Sequence, residues 1–122
     1  MGIHFENKFA YYRIDRQIVF LEIKENVVLD FEAAVAISSD RLRLQSDRCY
    51  PVLFDLERLA DSSKSGRDYM AHCGWFLASR VGVFAQSITP TIIAKFYLLQ
   101  SKPVVATALF EEREAALRFL ET

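Results

Sequence analysis

Four short apolar runs, IVFLEI (18–23), PVLFDL (51–56), VGVF (81–84) and VVATALF (104–110), are spaced along the chain with helix-like segments between them. Runs of this length and composition read as strands, and strands alternating with helical periodicity define an α/β layer fold. A fifth run, KFAYYRI (8–14), is aromatic and β-favouring and precedes the first across Asp15 and Arg16. Together they form a hairpin whose second strand starts apolar on both faces, so it is covered on both sides. Asp30 caps a helix in which Phe31, Ala34, Val35, Ser38 and Leu42 recur on one face. Gly66, Met70, Cys73 and Leu77 line one side of the next helix, with Tyr69, His72 and Phe76 beside them. Pro90 opens the helix TIIAKFYLLQ. Glu111 to Glu121 closes the chain as a helix, with acidic residues in its first turn and Ala115, Ala116, Phe119 and Leu120 facing inward. The expected order is ββαβαβαβα on a mixed β-sheet with four helices, one domain over 1–122.

A chain of 122 residues that is 52% hydrophobic and 13% aromatic has material for one well-packed core. Lys and Arg total 15 against 16 for Asp and Glu, a net charge of -1. That balance gives no electrostatic reason to expect nucleic acid or an anionic membrane as partner. Cys49 and Cys73 form no CxxC pattern, and Cys73 falls among expected core residues, so a reduced pair is expected. The N-terminus has neither the apolar core of a secretory signal nor, with Glu6 in the serine position, a myristoylation motif. No apolar run approaches the roughly 20 residues of a membrane span. A cytoplasmic protein is the expectation.

Motifs for catalysis are missing. There is no GxSxG elbow, no glycine-rich phosphate loop and no HExxH or paired-cysteine spacing, so no catalytic residue, metal or cofactor is expected. His72 and Cys73 adjoin, but successive helix residues point about 100° apart and make a poor base and nucleophile. Asp55, Glu57 and Asp61 gather where a strand ends, the usual position of sites in open α/β sheets. A cation or basic partner could be met there, but a solvated loop neutralised by Arg58 and Arg67 is the commoner explanation.

The stretch LADSSKSGRDYM (59–70) joins a strand to a helix. Ser63 is a good N-cap there. A phosphate at such a helix start would meet unpaired N–H groups and a positive dipole end, with Lys64 and Arg67 close by. A helix cap alone accounts for the stretch; if it is instead a switch, Ser63 and Ser62, then Ser65, are the candidate phosphoacceptors, and Asp55, Asp61, Lys64 and Arg67 the candidate loop site around them.

These elements, read with IDRQIVFLEIK (14–24), VLFDLERL (52–59) running into DSSKSGRDYM (61–70), KPVVATALF (102–110) and EREAALRFL (112–120), resemble the SpoIIAA-like, or STAS-like, domain family of anti-sigma factor antagonists. They resemble more closely small bacterial proteins of that fold without an assigned function. The resemblance implies a non-enzymatic regulatory or protein-interaction module, with a serine in a DSSG-like loop phosphorylated by a partner kinase. Asp61, Ser62 and Ser63 match the start of that loop, whereas Lys64 and Ser65 intervene before Gly66.

The helix TIIAKFYLLQ is apolar almost all round, which demands cover on more than one side. Ile92, Ile93, Phe96 and Tyr97 are thus the candidate interface, enlarged by Tyr11, Tyr12 and Trp75, and a homodimer is expected. The alternative is a small-molecule or lipid-binding domain with an apolar cleft beneath helix 90–100.

Overall fold

In a computed structural model that describes residues 3–121, the elements follow the order β1 (Ile3–Glu6), β2 (Ala10–Asp15), β3 (Ile18–Ile23), β4 (Val28–Leu29), α1 (Phe31–Gln45), β5 (Tyr50–Asp55), β6 (Asp61–Ser62), α2 (Lys64–His72), β7 (Ala78–Phe84), α3 (Ile88–Phe96), β8 (Thr107–Phe110) and α4 (Arg113–Glu121). Strands β1-β2-β3-β5-β7-β8 form one sheet, and β4 with β6 a second, two-stranded one. The first three strands are antiparallel, while β3, β5, β7 and β8 run parallel. The β2–β3 hairpin turns on Arg16 and Gln17, both with positive φ, as a tight hairpin that follows the strand twist requires.

Alternation along each strand sorts side chains between two layers. Val52 and Phe54 of β5 join Val19, Leu21, Val81 and Val83 in a core shared with Ala34 of α1, Met70 of α2 and Ile93 of α3. Leu53 points the other way, into a smaller core with Ile18, Phe20, Ala116 and Leu120. Three helices therefore cover one face and α4 covers part of the other. Gly82 lies under α4, where an added Cβ would meet Leu120 at 3.5 Å.

The mixed sheet and four helices match expectation, with differences of detail. β1, β4 and β6 were not foreseen, being short and lacking an apolar run. Of VVATALF only Thr107–Phe110 forms strand β8; Ala106 still accepts from the Val81 amide, while the Val104 amide donates to the Ala71 carbonyl and its side chain stays exposed. Helix α3 begins at Ile88 behind Ser87, three residues before TIIAKFYLLQ, and continues into a π-helical turn, Tyr97–Ser101. Helix α4 begins at Arg113 rather than Glu111.

The face of α1 is also rotated from expectation. Ala33, Ala34, Ile37, Ser38, Arg41 and Gln45 are buried, whereas Phe31 is exposed. Arg41 lies fully inside because its guanidinium donates to the carbonyls of Gly74 at 2.8 Å and Phe76 at 2.9 Å, just past the end of α2. Cys73 is exposed rather than in the core, since α2 ends at His72 and helical spacing no longer applies beyond it. Tyr12 and Trp75 are buried, which removes them from any surface patch.

Candidate functional site

The chain after β5 crosses the sheet top and pairs β6 with β4, which sets Ser62 opposite Leu29. Helix α2 then starts under Ser63, whose Oγ accepts the Gly66 amide at 3.1 Å, the expected N-cap. Gly66 is required by crowding: a Cβ there would lie 2.2 Å from the Leu29 carbonyl oxygen. The interval between Ser63 and Gly66 is thus fixed by the close passage of α2 over the β4–α1 junction.

The candidate loop residues divide between two places. Asp61, Ser62 and Arg67 come together in a groove of 280 Å³ whose other wall is Ile92, Ile93 and Phe96 of α3. Arg67 Nη1 donates to Ser62 Oγ at 2.7 Å and to the Ser62 carbonyl at 3.2 Å, and its guanidinium lies 5.8 Å from the Phe96 ring centroid. The Arg67 Nε–H is buried and has no acceptor among the described residues. Lys64 stands outside the groove and pairs with Asp68 at 2.7 Å. Hydrogen bonds from Lys64 and Ser101 hold the Asp68 carboxyl below its ordinary pKa. Ser65 Oγ lies 3.1 Å from Ser63 Oγ.

Asp55 is not part of this loop site. It shares the face of Leu53 and accepts from Arg113 Nη1 at 2.9 Å on the opposite side of the sheet. There it borders a concavity of 460 Å³ with Arg13, Phe20 and Glu22. Charges in that concavity are partly matched within the chain, Glu6 by Lys24 and Arg13 by Asp15. Glu57 has a separate role from Asp55 and Asp61. Its carboxylate accepts from the amides of Gln86 and Ser87 and from the Ser87 hydroxyl, capping α3 where the Ser87 side chain makes no cap bond of its own. Burial pushes the Glu57 pKa upward, but these hydrogen bonds outweigh it and leave the pKa below its ordinary value.

The four residues of the expected interface on α3 lie on two different sides of the helix. Ile92 and Phe96 are exposed; Ile93 and Tyr97 are buried, and the Tyr97 hydroxyl accepts from Trp75 Nε1 at 2.5 Å. Tyr97 also lies edge-on to Phe54, so the space beneath helix 90–100 is filled by aromatic rings. The open space lies instead along the outer flank, where Ile92, Lys95, Phe96 and Leu99 border a second groove of 180 Å³. Ile88 and Leu99 extend the exposed stripe. Ile88 was missed because Pro90 was read as the helix start; Ser87, an N-cap residue type, was the available signal. His72 and Cys73 are both exposed at the end of α2. Among the described residues, no group of three or more His, Cys, Asp or Glu side chains could hold a metal, and no helix is long and apolar enough to cross a membrane.

This architecture is SpoIIAA-like. A crystal structure of an uncharacterized protein from the DUF3478 family with a SpoIIAA-like fold, from Shewanella loihica PV-4, matches it with a TM-score of 0.53. The match covers 98% of this chain and 92% of that one at 13% sequence identity. The chain itself belongs to the family described as Domain of unknown function (DUF7793), which matches residues 12–122. No curated protein matches it.

Proposed function

We propose that this protein is a non-enzymatic, cytoplasmic regulatory module that binds another protein through the α2–α3 surface, under control of phosphorylation at Ser62. The observation that supports the reading most is the position of Ser62 Oγ: it forms part of a groove wall, on Arg67, directly across from the apolar side chains of α3. A phosphoserine adds about -1.5 to -2 charges and three acceptor oxygens. Arg67, whose Nη1 is already aimed at Ser62, supplies a cation and a donor to meet them. Phosphorylation would therefore change charge and shape inside the docking groove. Ser63 is the less suitable acceptor of the two, because its hydroxyl holds the start of α2. A kinase that modifies Ser62 would be a transient partner of the same surface.

The test is the intact mass of the protein from its native host, with and without phosphatase, followed by fragment mapping and by comparison of complexes formed by Ser62→Ala and Ser62→Glu. Phosphate on Ser62 and a changed complex in the Glu variant are the expected results. An unmodified chain across growth and stress conditions, with complexes indifferent to both substitutions, overturns the proposal.

A further inference from the structure

We propose that the outer face of α3 receives an amphipathic helix of the partner protein, one whose apolar face is flanked by carboxylates. This rests on the interaction reading above and specifies the chemistry of the partner.

Ile88, Ile92, Phe96 and Leu99 are exposed by 78%, 51%, 51% and 70%. Their spacing of four, four and three residues sets them in a single stripe along α3 and its π-helical turn. Contiguous apolar surface of this kind marks an interaction site on a soluble domain. The two grooves share Ile92 and Phe96, so the surface is notched rather than flat. Notches along an apolar stripe suit the side chains of a docked helix at i, i+3, i+4 and i+7.

Charge selects among occupants. Lys95 borders the stripe and Lys102 stands exposed at its end, and neither has an ion pair among the described residues. Arg67 adds a third cation against Phe96. Asp68 is already matched by Lys64, which leaves Asp61 as the opposing charge in the groove. The balance is cationic, and a partner helix with acidic flanks complements it. A second copy of this chain fits less well: antiparallel two-fold pairing over Ile92 and Phe96 would bring the two Lys95 side chains together near the axis. An anionic lipid surface also fits less well, since it would meet Asp61 and could not fill the notches. A phosphate on Ser62 would repel the same acidic flanks and so weaken docking.

The probe is a fluorescent 16-residue peptide with leucines at helical spacing and glutamates on both flanks, compared with a twin carrying lysines on the flanks. Anisotropy titration should show the glutamate peptide binding more tightly. Lys95→Glu should lower that affinity about two- to five-fold, the range for exposed ion pairs, and reverse the preference between the twins. Ile92→Asp should lower it about tenfold with an unchanged melting temperature. Equal binding of both twins overturns the proposal. Self-association in sedimentation equilibrium that Ile92→Asp abolishes assigns the stripe to a second copy, and flotation with phosphatidylglycerol vesicles assigns it to a membrane; either result also overturns it. If neither peptide binds while Ser62→Glu still alters complexes in host extracts, the acidic helix is refuted and the interaction module stands. If the glutamate peptide is preferred but Ser62 substitutions change nothing, the phosphoswitch fails and the acidic helix stands.

Discussion

Arg41→Met should destabilise the fold by about 2–4 kcal/mol, a net of large opposing effects. The arginine is fully buried, and among the described residues no carboxylate is paired with it. Its ligands are the Gly74 and Phe76 carbonyls and the Gln45 side chain, with the Trp75 ring centroid 5.3 Å away. Burial pulls its pKa down to about 10, so the group is still charged at neutral pH and is balanced by carbonyl dipoles. Each charge-assisted hydrogen bond is worth about 1.5–3 kcal/mol, and a carbonyl left dry costs about 1–3 kcal/mol. Against this, removing a buried ion relieves several kcal/mol of desolvation. Methionine keeps most of the volume, so the cavity contribution is small. At roughly 4 °C per kcal/mol for a chain of this size, the melting temperature should fall by about 8–16 °C. Arg41→Lys, which keeps the charge but cannot span both carbonyls, should fall in between. Urea unfolding with an unchanged m-value is the measure. A Met variant within about 0.5 kcal/mol of the parent would mean that the buried cation is replaceable by an apolar isostere, and that its bonds to the Gly74 and Phe76 carbonyls past the end of α2 do not stabilise the fold.

Gly66→Ala should cost about 1–3 kcal/mol in urea unfolding, because its Cβ meets backbone at Leu29 rather than a yielding side chain; a neutral result would show that α2 can lift without loss. Glu57→Gln should cost about 1 kcal/mol at neutral pH, as for a lost helix cap. The folded Glu57 pKa is lowered, so its contribution is complete above the ordinary value of 4.5 and is lost as pH falls through the folded value. Stability curves from pH 3 to 7 should therefore converge at the acid end, and parallel curves would refute the cap. Tyr97→Phe leaves the buried Trp75 N–H without its acceptor and should cost about 1–3 kcal/mol. Burial raises the Tyr97 pKa above 10.0, so its contribution is present below that pH and lost as pH rises through the folded value; the Phe variant should show a shallower alkaline decline.

Elements whose signal is local were legible in the sequence. The β2–β3 hairpin, the runs that became β5 and β7, and the caps Asp30 and Ser63 depend on neighbours a few residues away. What failed depended on partners far along the chain. Phe31, Val35 and Leu42 were taken as the inner face of α1 because they are apolar, but the helix turns Arg41 and Gln45 inward to reach carbonyls more than thirty residues later. Nothing in the spacing of a lone arginine reports that a helix end awaits it.

The site was half legible for the same reason. Ser62, Asp61 and Arg67 were named from one loop, and one loop brought them together. Asp55 was grouped with them by sequence distance, yet alternation along β5 already placed it on the face of Leu53 and away from Phe54. On α3, uniform apolarity showed that two sides needed cover without showing which side the chain itself supplies. The fold answers by filling the inner side with Ile93, Ala94 and Tyr97 against Phe54 and Trp75. Ile88, Ile92, Phe96 and Leu99 remain outside, with the cationic Lys95 among them. If the proposed partner reads charge as well as apolar surface, substitution at Lys95 changes its affinity; if Lys95 only solvates an exposed helix face, the same substitution leaves affinity unchanged.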